Sequence, residues 1–133
     1  MASIFSKIIA GEIPCHKIAE DEHCFAFLDI NPNQTGHTLC VTKKEKDKFL
    51  DLSEADYQKL MFFSRKVALA IQETIPCKRV GMSIIGLEVP HVHVHLIPLQ
   101  AMTDATFQSK IEATPEQLAQ TAGAIAKAFQ NLT

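Results

Sequence analysis

Three histidines at alternate positions stand in the run His91-Val92-His93-Val94-His95-Leu96-Ile97-Pro98. In a β-strand, residues i, i+2 and i+4 project from one face. The three imidazoles would share a face, with the valines on the other. Near neutral pH, imidazole is the side chain best placed to carry a proton, bind phosphate or metal, or attack phosphorus. The chain has six histidines, and this strand holds half of them. A plain solvent-facing strand is a poor account of such a pattern. A shared metal is a second account, because neighbouring His-x-His pairs can hold one ion. The outer two histidines of a straight strand lie about 13 Å apart at Cα, however, so one ion would struggle to take all three. Glu88 is the nearest candidate for a further ligand. The third account is phosphoryl or nucleotidyl transfer, with one imidazole as nucleophile. That chemistry needs an unprotonated attacking nitrogen whose partner nitrogen donates to a fixed acceptor. It also needs donors around the phosphate to stabilise charge developing on its oxygens.

The rest of the chain must position these rings. At 133 residues it should form one domain with a proper core. A hydrophobic fraction of 47% with 21% charged residues fits a globular protein and argues against disorder. The net charge of −2 gives no broad electrostatic footprint for nucleic acid, so no nucleic-acid partner is expected. A small nucleotide needs only local donors and stays possible. No apolar run approaches the roughly 20 residues needed to span a membrane, and the N-terminus lacks the apolar core of a signal peptide. Cys15, Cys24, Cys40 and Cys77 have no close pairing and read as free thiols. Together these point to the cytoplasm.

Residues 3 to 10 read as a short helical turn with Ile4, Phe5, Ile8 and Ile9 apolar. Strands are expected from Cys15 to Glu20, Cys24 to Ile30 and His37 to Thr42. The first two should form a hairpin, and Asn31-Pro32-Asn33-Gln34-Thr35-Gly36 should loop before the third. The mixed charge run from Lys43 to Lys48 reads as a solvated turn. Ser53 opens a helix on which Leu60, Phe63, Val67, Ala70 and Ile71 recur at helical spacing, and Pro76 stops it after about Thr74. A strand from Val80 to Ile85 precedes the histidine strand, which Pro98 should close. Thr114-Pro115-Glu116-Gln117 starts a final helix with Leu118, Ala122, Ile125 and Phe129 on one stripe, facing the sheet or a partner subunit. This order suggests an α+β domain with an antiparallel sheet and helices on one side.

The histidine strand and the segments before it resemble the histidine triad family of nucleotide hydrolases and transferases. The family motif is His-φ-His-φ-His-φ-φ with φ apolar, and residues 91 to 97 fit every position. Three upstream segments agree independently. Residues 3 to 14 are similar to the family's N-terminal segment, Phe25 to Pro32 to its ribose- and base-contacting strand and loop, and Gly36-His37-Thr38-Leu39 to the strand that carries a fourth active-site histidine. The resemblance runs from about residue 3 to 99. It implies a half-barrel of about five antiparallel strands with helices packed on one side. A histidine triad domain over 3–105 would be followed by a C-terminal extension over 106–133, with a helix at about 115–130. It implies that His93 attacks the α-phosphorus of a nucleotide to give a nucleotidyl-histidine, which water then hydrolyses. His95 and His37 would bind phosphate oxygens. His91 would be structural, its backbone carbonyl accepting the His93 ring N–H. Asp29 would hold the ribose hydroxyls, and Ile30, Phe5 and Ile8 would wall the base. The same resemblance implies a homodimer built through residues 53 to 74 and the fourth strand.

The chain departs from the family pattern in two places. Many bacterial members carry a Cys-x-x-Cys near the N-terminus that binds zinc with later histidines. Here those positions are Ser3 and Ser6, and the later histidine is Glu45, so no metal and no cofactor are expected. The phosphoramidase branch carries Gly-Gln-Ser before the triad, where this chain has Gly86-Leu87-Glu88. A carboxylate beside phosphate is repulsive unless protonated or paired. Glu88 could instead bond a histidine or protonate an amine leaving group. The expected activity is cleavage at the α-phosphate of a purine nucleoside phosphoramidate or a related nucleotide conjugate. A dinucleoside polyphosphate hydrolase and a non-catalytic nucleotide-binding module are the alternatives.

Overall fold

The computed structural model describes residues 2–132. Five strands form one antiparallel sheet: β1 (Lys17–Glu20), β2 (Cys24–Leu28), β3 (Thr38–Thr42), β4 (Arg79–Ile84) and β5 (His93–Leu99), in the order β1-β2-β3-β5-β4. The chain thus has the expected α+β architecture, an open five-stranded sheet with a C-terminal helix. The histidine strand is internal, paired with β3 from Val41↔His93 to Thr38↔Leu96 and with β4 on its other edge.

Both faces of the sheet are covered, because its central strands are apolar at consecutive positions rather than alternate ones. Cys24, Ala26, Leu28, Cys40, Val94 and Leu96 point to one face. There they meet α2 (Glu54–Thr74) through Leu60, Phe63, Val67, Ala70 and Ile71, and α3 (Pro115–Asn131) through Leu118, Ala122 and Ile125. Phe25, Phe27, Leu39 and Val41 point to the other face and pack on Phe5 of α1 (Ile4–Ile9). The two long helices lie on one side as expected, but α1 lies on the opposite side, over the face that carries His93 and His95.

The helix termini follow local chemistry. Ser53 Oγ accepts the Asp56 N–H at the start of α2, and Thr114 and Gln117 form a reciprocal capping box at the start of α3. The apolar stripe of α3 packs on α2 and β1 of its own chain, with Phe129 against Phe63. Pro98 does not end the histidine strand, which continues to Leu99 with Pro98 opposite Val80. Pairing with β3 stops at Leu96, so no neighbour on that side needs the amide proton that proline lacks. The strand also begins later than the motif: His91 and Val92 precede β5, and the Val92 N–H is held by the Lys46 carbonyl.

Candidate active site

Four imidazoles meet beneath α1, and each ring nitrogen with a bonded partner has its role set by that partner. A carbonyl can only accept, so His93 Nδ1, 2.7 Å from the His91 carbonyl, carries a proton. In the neutral ring this leaves the lone pair on Nε2. His91 Nε2 likewise donates to the Thr42 carbonyl at 2.7 Å, so His91 Nδ1 accepts from the Ser3 hydroxyl at 2.6 Å. The backbone N–H of Asn33 donates to His37 Nδ1 at 3.0 Å, which puts the His37 proton on Nε2. His37 Nε2 then donates to His95 Nδ1 at 3.0 Å and leaves the His95 proton on Nε2. The arrangement offers one lone pair, at His93, beside one N–H donor, at His95. Their rings meet edge to face with centroids 4.9 Å apart.

Burial keeps the rings of His37, His93 and His95 uncharged. Desolvation is the main cause in each case. It lowers the pKa of His37 to about 3, with the charges of His95 and Lys110 adding to the effect. It lowers His95 to about 4, again with help from neighbouring positive charge. His93 is lowered too, against the opposing pull of its bond to the His91 carbonyl and of Asp29 and Glu88. At neutral pH all three are free bases, the state that a nucleophilic imidazole requires.

His93 and His95 form the floor of a cavity of about 460 Å³. Ile4 and Phe5 wall one part of it, Asp29 and Asn31 another, the loop from Ile85 to Val89 a third, and Phe107 with Lys110 the last. Phe5 meets the His93 ring edge-on at 4.9 Å. Asp29 accepts the Asn31 N–H at 2.8 Å, and its other oxygen lies 3.6 Å from His37 Nε2. Its pKa is raised, chiefly by desolvation. Glu88 is exposed on the cavity rim.

Of the residues expected at the site, His93, His95, Asp29, Phe5 and Glu88 line this cavity, and His37 and His91 stand directly behind it. Two residues lie elsewhere. Ile8 packs into the apolar layer under α1. Ile30 is 71% exposed and lines a separate shallow depression with Asn31 and Ile111. The strand ends at Leu28, and Ile30 lies in the bend that follows it, beside Asn31, which lines both depressions. Neither residue walls the histidine cavity.

Asp29, His37 and His95 each bring a potential ligand atom within 4.8 Å of the others. The hydrogen bonds work against a cation there. A metal on His37 Nε2 would force the ring proton onto Nδ1, against the Asn33 N–H. The positions at which the family resemblance would put zinc ligands do not suit zinc either. Glu45 Oε1 accepts the Ser3 N–H at 2.6 Å and the Ser6 hydroxyl at 2.7 Å, and Ser3 Oγ accepts the Ser6 N–H at 3.0 Å while donating to His91. These oxygen donors are occupied with one another and include no thiolate. The knot fastens α1 to His91, and through the His91 carbonyl it fixes the orientation of His93.

Several residues of this site were not singled out for it from the sequence. Ser3 and Thr42 bond His91 from 88 and 49 positions away. Asn33 sets the His37 tautomer, and its loop is tied by Asn33 Nδ2 to the Asp104 carbonyl at 2.8 Å and by Gln34 Nε2 to the Asp104 carboxylate at 2.7 Å. Phe107 and Lys110 belong to the stretch expected as an extension, yet they complete the cavity. The serine at a helix start and the asparagine in a turn were visible as local signals only.

The HIT domain family matches residues 10–102. An uncharacterized HIT-like protein of Methanocaldococcus jannaschii is 41% identical over 71% of this chain and 77% of its own. The adenosine 5′-monophosphoramidase hnt1 of Schizosaccharomyces pombe is 38% identical over 74% of each chain. Among solved structures, a Hit-like protein from Bartonella henselae superposes with a TM-score of 0.83 over 95% of each chain at 28% identity. The histidine strand, the fold around it and the matched sequence agree, and the chain belongs to the HIT, or histidine triad, family.

Proposed function

We propose that this protein is a hydrolase that cleaves at the α-phosphate of a purine nucleoside phosphoramidate or related nucleotide conjugate through a nucleotidyl-histidine. The observation that carries this reading is the bond from His93 Nδ1 to the His91 carbonyl, which leaves Nε2 as a lone pair in a neutral ring. His93 Nε2 forms a bond to phosphorus as the bond to the leaving group breaks. The leaving group takes a proton from solvent at the open rim of the cavity, where Glu88 stands as a carboxylate that can orient an amine leaving group. Water then attacks the same phosphorus, the N–P bond breaks, and the nucleoside monophosphate and neutral His93 are restored. Splitting one displacement into two lowers each barrier. The His95 Nε2–H, backed by His37, donates to phosphate oxygens. Asp29 accepts from the ribose hydroxyls, and Phe5 with Ile4 contacts the base. The phosphoramidase name of the yeast relative supports the choice of leaving group.

The reading carries with it a cytoplasmic homodimer. The exposed Phe62 and Leu69 of α2 and Met82 of β4 are apolar surface suited to such a contact. Among the described residues, no helix is long and apolar enough to cross a membrane.

The test is incubation of the wild type and His93→Ala with an adenosine 5′-phosphoramidate, following AMP. Release by the wild type that is lost in the variant supports the reading. Equal release by both rejects His93 as nucleophile. AMP bound by the wild type with no turnover favours a binding module. Faster cleavage of a diadenosine polyphosphate than of the phosphoramidate favours the polyphosphate hydrolase.

A further inference from the structure

The proposed chemistry brings an anion into a cavity whose imidazoles are uncharged. His37, His93 and His95 are free bases at neutral pH, because burial holds their pKa values below the ordinary histidine range. Among the described residues, the ionisable side chains left in the lining are the carboxylates Asp29 and Glu88 and one cation, Lys110. Without Lys110 the lining would be negative, and a phosphate would be repelled from the nitrogen that should attack it.

Lys110 is also held in place. Its ammonium lies 5.0 Å from the centroid of the Phe107 ring, within the range of a cation–π contact. That ring in turn packs edge to face on His95 at 4.8 Å and on His37 at 5.9 Å. Phe107 has a φ of 64°, a left-handed conformation uncommon for a bulky residue. Such strain persists where the surrounding packing over-determines it. The backbone turn at Phe107 therefore seats an aromatic ring between two imidazoles and a lysine. The fields divide the cavity further. The charge of Lys110 acts on Asp29, His37 and His95, whereas that of Glu88 acts on Asp29 and His93. The lysine stands on the side of the His95 donor.

We propose that Lys110, seated on Phe107, binds the α-phosphate oxygens of the nucleotide beside His95 and is the charge on which recognition of the phosphate depends. This rests on the nucleotide reading above. It predicts a residue that serves every nucleotide substrate, whatever its leaving group, and that adds nothing to recognition of the uncharged nucleoside.

Calorimetric titration of AMP and of adenosine tests this without requiring turnover. The wild type should bind AMP more tightly than adenosine, with a preference that weakens as salt is added. Lys110→Gln should cut AMP affinity about tenfold and leave adenosine affinity unchanged, a change of about 1.4 kcal/mol. Lys110→Arg should retain most of the preference, and Phe107→Leu should lose part of it. Equal AMP affinity in the wild type and Lys110→Gln would overturn the proposal alone. A wild type that binds neither ligand would overturn the nucleotide reading and the proposal with it. A Lys110→Gln variant that loses adenosine as well would assign Lys110 to the shape of the pocket and overturn its role toward phosphate.

Discussion

Lowering the pH from 7 to 5 should destabilise the fold, and His37 sets the size of the effect. Its ring is fully buried, and desolvation, aided by positive charge on His95 and Lys110, moves its pKa from 6.5 to about 3. In the unfolded chain the same ring is an ordinary histidine. Between pH 6.5 and about 3, the unfolded state binds a proton that the folded state does not. Stability is therefore fully present above pH 6.5 and declines as the pH falls through that window. Each pH unit inside it costs about 1.4 kcal/mol per proton. The interval from 6.5 to 5 thus assigns about 2 kcal/mol to His37. His95, held at about 4, adds a similar loss over the same interval. Asp29 contributes with the opposite sign, because burial raises its pKa and acid then favours the folded state. The contribution of His37 is isolated by comparing the wild type with His37→Asn, whose side-chain oxygen can still accept from the Asn33 N–H. Urea unfolding at pH 7, 6 and 5, at fixed protein concentration, is the assay. The wild type should lose about 2 kcal/mol more than the variant between pH 7 and 5. Equal losses would refute the argument that the buried neutral ring is the source.

Three further outcomes follow from the same geometry. Ser3→Ala removes the cap of α1 and leaves His91 Nδ1 buried without its donor; unfolding should become easier by about 2–4 kcal/mol, and a loss below about 1 kcal/mol would show that the knot does not hold α1 down. Gly36→Ala places a Cβ 2.9 Å from Ile75 Cγ1 on a backbone with φ of 94°; a destabilisation of about 2 kcal/mol or more is expected by thermal or urea unfolding, and a neutral result would contradict that crowding. The acid limb of kcat/KM for phosphoramidate cleavage should lie below the ordinary histidine value of 6.5, because burial lowers the pKa of His93 and holds His95 at about 4; a limb at or above pH 6.5 would mean that the rings titrate as solvated histidines.

The long elements were legible because each signal for them is local. The α2 stripe, the capping box of α3 and the strand-forming runs lie within a few residues of one another, as does the alternation of His91, His93 and His95. Strand ends were less so. Pro98 reads as a terminator, and only the position of β3 shows that its missing amide proton has nothing to bond. Ile8 and Ile30 were expected as walls of the base site because the family resemblance implies it for those positions. Which way each points depends on where α1 packs and where β2 ends.

By itself the sequence determined that an α+β domain would carry alternating imidazoles on one strand run, because side-chain alternation and motif spacing are properties of the chain; the pairing of β5 with β3, which brings His37 beside them, is tertiary. Tertiary structure decided the protonation of those imidazoles. The His91 carbonyl that fixes His93 is two positions away and was expected from the family resemblance, and the Asn33 amide that fixes His37 is four away, but the Ser3 hydroxyl and Thr42 carbonyl that fix His91 lie 88 and 49 positions away. The charge of the cavity was also decided there, since Lys110 meets the histidines only after the chain has passed β5 and turned at Phe107. Hydrogen-bond direction and desolvation depend on distances of a few ångströms, and for residues this far apart along the chain those distances exist only in the packed fold.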